Sequence, residues 1–364
     1  MNAQKKRRVS IISLILLTAI GILIISTIPK NREVKRPIDI SIMEEEKPQK
    51  VISLNRYITT DANPENAYIL GDKGNIYVLC CDSENYYAEL WHPEFWEGIK
   101  VVDLCAGNKT DSYALALDEE GNVYIWDKEY QSKEEAWEKK DDWHIQRMEN
   151  IPKTAEIFSG YNQFVLVTKE GEAYRFNPME NSNLELETIG VENPVLGMGS
   201  LDEELFIMDC NHVLWSIENG TKKIVKENVK AIMQGGKGFV IQLMDDENTV
   251  YVYNIYLLQD GYETVTFAGK YEVSKVTFED EIFLLAVSSQ TAVVCLGEEK
   301  FYRWGRMPRR YSMGKLGYSE SLNDKVYEQP VEVDMKGAWY YMLIGKDIVY
   351  IDEQNRMFAL IQNF

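Results

Sequence analysis

A strand–turn–strand unit that recurs along most of the chain constrains its fold more than any other feature. Three copies read AYILGDKGNIY (67–77), YALALDEEGNVY (113–124) and FVLVTKEGEAY (164–174). Looser copies follow as LFIMDCNHVL (205–214), FVIQLMDDENTVY (239–251), AVVCLGEEKFY (292–302) and DIVYIDEQNRMF (347–358). Each apolar run meets a turn and re-emerges on a large side chain: Tyr77, Tyr124, Tyr174, Leu214, Tyr251, Tyr302 and Phe358. Turn positions hold Gly74, Gly121, Gly171, Asn211, Asn248, Glu299 and Asn355. All but Glu299 are Gly or Asn, which reach positive φ at little cost. The anchors span 281 residues in six steps, a mean near 47.

A second element precedes several hairpins, an apolar strand ending in a small-residue bend: 101–107, 155–160, 195–199 and 229–235. With a return strand this makes about four strands per unit. Units of roughly 40–50 residues with four strands each are the pattern of a propeller. One such sheet cannot bury both of its faces, whereas several arranged radially can. The expected fold is therefore all-β, a seven-bladed β-propeller over residues 51–364. Residues near Val51-Ile-Ser-Leu54 are expected to complete the last blade.

The sixth unit reads FYRWGRMPRRYSMGKLG (301–317), with QPVEV (329–333) after it. It resembles the regulator of chromosome condensation repeat, which runs from a DG-x-V-Y-x-W-G hairpin through G-Q-L-G to P-x-x-V. Trp304-Gly305, Gly314-Lys315-Leu316-Gly317 and Pro330-Val331 match in order, and Trp126-Asp127 and Phe176-Asn177 are degenerate versions elsewhere. The resemblance implies the seven-bladed propeller and a protein-binding habit. It does not carry over nucleotide exchange or chromatin binding, which need a cytoplasmic or nuclear location and, for DNA, a basic surface, whereas this region is acidic and follows an expected membrane anchor.

Residues 9–28 contain no charged side chain and are long enough to cross about 30 Å of hydrocarbon as a helix. Lys5, Lys6, Arg7 and Arg8 precede them, and no A-x-A-like cleavage site follows. The segment reads as a single-pass signal-anchor, with a cytoplasmic basic tail (1–8), a membrane helix (9–28) and a juxtamembrane linker (29–50). The basic lead favours an extracytoplasmic repeat domain. Residues 1–36 carry a net +7, so the remainder carries −26 of the chain's total of −19. A domain that acidic repels nucleic acid.

No catalytic or cofactor constellation emerges. His92, His144 and His212 fall in different units without metal-ligand spacing, and no nucleophile elbow or phosphate-binding loop occurs. Cys80, Cys81, Cys105, Cys210 and Cys295 show no CxxC and read as free thiols, mostly buried. The expected function is a membrane-tethered, non-enzymatic module for a protein partner at the cell surface. The contact candidates are Trp91, Trp96, Trp137, Trp143, Arg306, Arg309 and Arg310, set against packing of the tryptophans between blades and a solvated loop for the arginines. The same tryptophans, if exposed, would serve a carbohydrate or cell-wall binding module, and a propeller hydrolase or lyase is a third reading.

Overall fold

A strand that is apolar at every position needs cover on both faces, and the repeat units contain such strands. The computed structural model describes residues 33–53, 67–82, 85–107, 113–127, 144–178, 185–191, 194–201, 203–236, 238–254, 263–287, 291–297, 299–307, 325–344 and 347–362. Within these, Lys35–Ile361 form the large compact unit.

The chain opens with β1 (Glu33–Asp39) and a 3-10 turn (Ser41–Met43). It then runs through consecutive antiparallel arrays. The first holds β2 (Pro48–Ser53), β3 (Ala67–Gly71), β4 (Ile76–Asp82) and β5 (Asn85–Leu90), followed by the short helix α1 (Pro93–Trp96). The second holds β6 (Val101–Ala106), β7 (Ala114–Asp118), β8 (Val123–Asp127) and β9 (His144–Arg147). The third holds β10 (Thr154–Ser159), β11 (Phe164–Thr168), β12 (Ala173–Phe176) and β13 (Glu187–Thr188). The fourth holds β14 (Val195–Leu201), β15 (Glu204–Asp209), β16 (Leu214–Glu218) and β17 (Thr221–Lys226). The fifth holds β18 (Val229–Gly235), β19 (Gly238–Leu243), β20 (Thr249–Tyr253), β21 (Glu263–Phe267) and β22 (Tyr271–Thr277), with β22 beside β20. The sixth holds β23 (Ile282–Val287), β24 (Thr291–Leu296), β25 (Lys300–Met307) and β26 (Lys325–Val333). The last holds β27 (Ala338–Ile344), β28 (Asp347–Asp352) and β29 (Met357–Gln362).

The first strands of successive arrays touch one another in the order β2, β6, β10, β14, β18, β23, β27, and β27 touches β2 again. The arrays are thus radial and propeller-like. β1 lies between β29 and β5, so the first and last arrays share one eight-stranded sheet. It runs parallel to β5, with Ile38 opposite Tyr86 and Asp39 opposite Tyr87. Lys35 lays its ammonium over the Phe358 ring, 4.3 Å from its centroid.

Two expectations change here. Residues 33–50, read as linker, supply β1 and the start of β2. Val51–Ser53 belong to the first array, where Val51 opposes Ile69, and β1 takes the outer place of the last array. β1 is flanked on both sides but alternates exposed Lys35, Pro37 and Asp39 with more buried Arg36 and Ile38, and this polar content hides its strand character from a hydropathy reading. Residues 1–28, including the expected membrane helix, and the charged segment 128–142 lie outside the described residues. Among those described, no helix is long and apolar enough to cross a membrane.

The second strands β3, β7 and β11 are buried at every position. Their alternate residues enter different cores. Ala114 and Ala116 join Tyr68, Trp91, Trp96 and Trp126 between the first and second arrays. Leu115 and Leu117 join Phe164 and Leu166 between the second and third. Val165 and Val167 then face Leu205 and Ile207 of the fourth. The same hand-over closes the ring, where Val349 and Ile351 meet Val51, Ile69 and Tyr77. Trp304, from the motif that matches the repeat best, is fully buried against Phe278, with Gly305 behind it at φ 105°.

Several hairpin turns are built on a carboxylate. Asp118 Oδ1 accepts the backbone N–H of Glu120 and Asn122, and Oδ2 accepts Asn122 Nδ2 and the Tyr124 hydroxyl at 3.0 Å. Asp209 does the same for Asn211, Val213 and Trp215 Nε1. Trp215, opposite Ile207, therefore stands where Tyr124 stands opposite Ala116. The fourth unit's anchor is Trp215 rather than Leu214, and its left-handed turn residue is His212 (φ 60°) rather than Asn211. The turn is counted from Asp209, whose carbonyl accepts the His212 N–H as Asp118 accepts that of Gly121.

The first unit has Gly71 where these units have aspartate. Glu46 fills the gap from outside. Its Oε1 accepts the Lys73 and Asn75 N–H groups, and its Oε2 accepts Asn75 Nδ2 and the Tyr77 hydroxyl at 2.6 Å. A Cβ at Gly71 would overlap the Glu46 carboxylate, so the glutamate dictates this glycine. We expect Gly71→Ala and Glu46→Ala each to cost about 1–3 kcal/mol in urea unfolding. The pair Glu46→Ala with Gly71→Asp rebuilds the second unit's arrangement and should recover most of that loss.

Burial raises the Asp352 pKa, but hydrogen bonds from Arg356 and from backbone N–H groups outweigh it and hold the carboxyl below its ordinary value. Asp246 is likewise lowered, burial being outweighed by the Tyr251 hydroxyl. Because the folded values lie below the unfolded ones, the stabilisation is present at neutral pH and lost as pH falls through the carboxylate range. The thermal midpoint should be flat from about pH 7 to 5 and drop below about pH 4, and Asp352→Asn should flatten that drop.

Candidate functional site

Antiparallel pairing places one residue opposite one residue unless a bulge intervenes, and an identical bulge recurs at the start of every inner strand of the ring. Val101 opposes Asp118 and Asp103 opposes Leu117, which leaves Val102 unpaired. The same one-residue skip leaves out Gln49 in β2, Ala155 in β10, Leu196 in β14, Lys230 in β18, Phe283 in β23 and Trp339 in β27. A bulge re-aims one side chain and frees it from the sheet's alternation. The skipped residues are exposed except for Lys230, which is half-buried. Four are large and apolar: Phe283 is 61% exposed, Leu196 47%, Val102 44% and Trp339 41%.

All of these bulges except the one in β10 are tied to a hairpin turn in the same way. The residue opposite the bulge ends the second strand, and the next residue donates its N–H to the carbonyl just before the inner strand. Glu119 to Lys100, Cys210 to Pro194, Met244 to Asn228 and Glu353 to Gly337 follow this scheme. The bulge side chains and the turns therefore lie on one face of the ring.

The residues that follow the bulges couple neighbouring inner strands. Lys50 Nζ lies 2.6 Å from Asp103 Oδ1 across β2 and β6. Burial works against the Lys50 charge, but the Asp103 carboxylate outweighs it and raises the lysine pKa. The Tyr340 hydroxyl donates to the Val51 carbonyl at 2.8 Å, joining β27 to β2. On the face itself, Lys230 reaches Glu281 at 3.3 Å, from β18 to the lead-in of β23.

The residues singled out from sequence fare differently. Trp91 and Trp96 are 5% and 6% exposed, packed around Tyr68, Tyr124 and Trp126 with the Trp91 and Trp126 centroids 5.0 Å apart. They form core between arrays, not a stacking platform: Trp91 is still bonded to the sheet through Ile76, and α1 folds Trp96 back onto it. Beside α1 lies an open depression of about 590 Å³ lined by Lys73, Leu90, Pro93, Glu94 and Lys100. Trp137, Trp143, Arg309 and Arg310 lie outside the described residues. Arg306 is on β25, its backbone opposite Val326. Among the described residues no group of His, Cys, Asp and Glu is placed to hold a metal. Cys105 and Cys295 are buried free thiols, as expected, whereas Cys210 is exposed.

Phe283, Trp339, Leu196 and Val102 were not among the sequence candidates. Their signal is local: two adjacent apolar residues open the strand, as in Ile282-Phe283, Val195-Leu196 and Val101-Val102, against the alternation a half-wet strand would show.

No protein-family model and no curated protein matches the chain. Solved structures do resemble it. Prp20p from Saccharomyces cerevisiae, described with its binding properties to Gsp1p and histones, is 14% identical over 82% of this chain and 81% of its own, with a TM-score of 0.53. Yeast RCC1 (Prp20) bound to Kap60 gives 14% identity, 82% and 78% coverage and a TM-score of 0.52. Human WBSCR16 gives 11%, 92% and 88% and 0.51. At these identities the likeness is one of fold, an RCC1-like β-propeller.

Because the bulge side chains are exposed, Phe283→Ser with Trp339→Ser should leave unfolding free energy within about 0.5 kcal/mol. Trp126→Ala or Trp304→Ala should cost about 3–5 kcal/mol in the same urea titration.

Proposed function

We propose that the chain is a seven-bladed propeller that binds a protein partner through its bulge-bearing face. The observation that carries this reading is the recurrent bulge, which exposes Val102, Leu196, Phe283 and Trp339 at one level of the ring. Apolar side chains gathered on one face and rimmed by charge mark interaction surfaces, and aromatic residues dominate their energetics. The fold neighbour Prp20p, with its reported binding to Gsp1p and histones, lends support by analogy of fold alone. The carbohydrate reading loses two of its four tryptophans, since Trp91 and Trp96 are buried. Binding rather than catalysis is the role assigned. The uncharged stretch 9–28 is taken as the tether, with the propeller on the extracytoplasmic side.

A photo-crosslinking residue placed at Phe283 or Trp339 in the full chain, in its native cells, should capture a discrete protein adduct. The same residue at Ile224, exposed on outer strand β17, should not. Equal capture from Ile224 alone would overturn the assignment of this face. The chain should stay with membranes through an alkaline carbonate wash, and protease added to intact cells should remove the propeller. Protection until lysis would reverse the orientation.

A further inference from the structure

The bulge face has a charge pattern as well as an apolar one. The turns and lead-in segments that border it are rich in exposed carboxylates. Glu119 and Glu120 follow Asp118, the residue opposite Val101. Asp245 and Glu247 lie in the β19–β20 turn. Glu279, Asp280 and Glu281 run directly into Ile282-Phe283, and Glu353 follows the residue opposite the β27 bulge. Three lysines on this face are held by its own acids, Lys100 by Glu119 at 3.1 Å, Lys230 by Glu281 at 3.3 Å and Lys300 by Glu279 at 3.9 Å, while Lys336 before β27 is exposed beside Asp334 in the sequence. The face is left with an excess of carboxylate, in keeping with the −26 carried beyond residue 36. The excess is densest from the fifth to the last array, where it flanks Phe283 and Trp339, the two aromatic bulge residues.

We infer that this arc takes a Lys/Arg-rich protein segment whose apolar side chains seat on Phe283 and Trp339 while its cations meet the surrounding carboxylates. The inference rests on the binding-face reading and adds the chemistry of the partner. An acidic partner would meet like charge at every turn of the arc, and a purely apolar one would leave the carboxylate rim facing desolvation without compensation. The two parts act on different quantities. The acidic arc governs encounter rate and its decline with salt, and the aromatic pair governs how long the complex lasts.

The test uses the full chain in nanodiscs of zwitterionic lipid, with empty discs as the blank. Three synthetic peptides of equal length alternate lysine with leucine, lysine with serine, and glutamate with leucine. The lysine–leucine peptide should bind about tenfold or more tightly than either of the others, and its affinity should fall as salt rises. Phe283→Ser with Trp339→Ser should cost about tenfold, mainly in dissociation rate, at an unchanged thermal midpoint. Glu279→Lys with Asp280→Lys should cut the association rate and reduce the salt dependence, while Ile224→Ser should change nothing. Equal binding of the glutamate–leucine peptide, or lysine–leucine binding indifferent to the aromatic pair, would overturn the inference. If that happens while crosslinks still form at Phe283 and Trp339, the partner chemistry is wrong and the face stands. If the crosslinks are also absent, the binding-face reading fails with it.

Discussion

The structure depends on one constraint: a sheet whose second strand is apolar on both faces cannot stand alone. Ala114 and Ala116 need the first array, and Leu115 and Leu117 need the third. Every array is in the same position, so each is stable only between two others. Such a series ends in two unprotected faces unless it closes, and here Val349 and Ile351 of the last array meet Val51 and Ile69 of the first. β1 reinforces that seam by sharing a sheet with both. Long-range burial of this kind forms only once the chain has returned to its start, which makes the N-terminal strand part of the fold rather than an approach to it.

The second recurring element is the pairing of a turn carboxylate with a bulge. Asp118, Asp209 and Asp352 each sit opposite the residue that precedes a skipped one, and each gathers the N–H groups of its own turn. Their side chains satisfy donors that the tight hairpin leaves without a ladder partner. The first unit reaches the same end differently, with Glu46 reaching into the space over Gly71. In the third unit the Thr168 hydroxyl takes that place and accepts the Glu172 N–H, and the fifth and sixth units have Leu243 and Leu296 there, so a turn acceptor recurs in several units but not in all. With the turn held, the bulge beside it can carry Val, Leu, Phe, Trp, Lys or Gln without cost to the core. That separation lets one face vary in chemistry while the ring stays constant, which suits a recognition surface.

Much of this architecture was legible in the sequence. The repeat spacing, the Gly and Asn turns and the continuous apolar runs fixed strand identity unit by unit, because they follow from local backbone preference and two-sided burial. The motif Trp304-Gly305 pointed to the right fold neighbours despite low identity. β1 was missed because Lys35, Arg36 and Pro37 give it few apolar residues, and its pairing to β5 and β29 comes from chain segments far away in sequence. Trp91 and Trp96 stood between a contact role and packing between blades, because spacing cannot say which way a short helix and its lead-in turn their aromatics. The fourth anchor slipped by one residue because Asn211 and His212 are both able to take a left-handed turn position, and only the hydrogen bond to Asp209 chooses between them.

The sequence by itself determined that the chain repeats a hairpin, that its units need one another, and that the repeat region is strongly acidic. These are properties of composition and period. Only the tertiary structure decided which strand joins the ends and which side chains are left outside. Strand register and bulges arise from pairing between segments far apart in the chain, and a skip of one residue moves Phe283 or Trp339 from the alternation of the sheet to the open face of the ring.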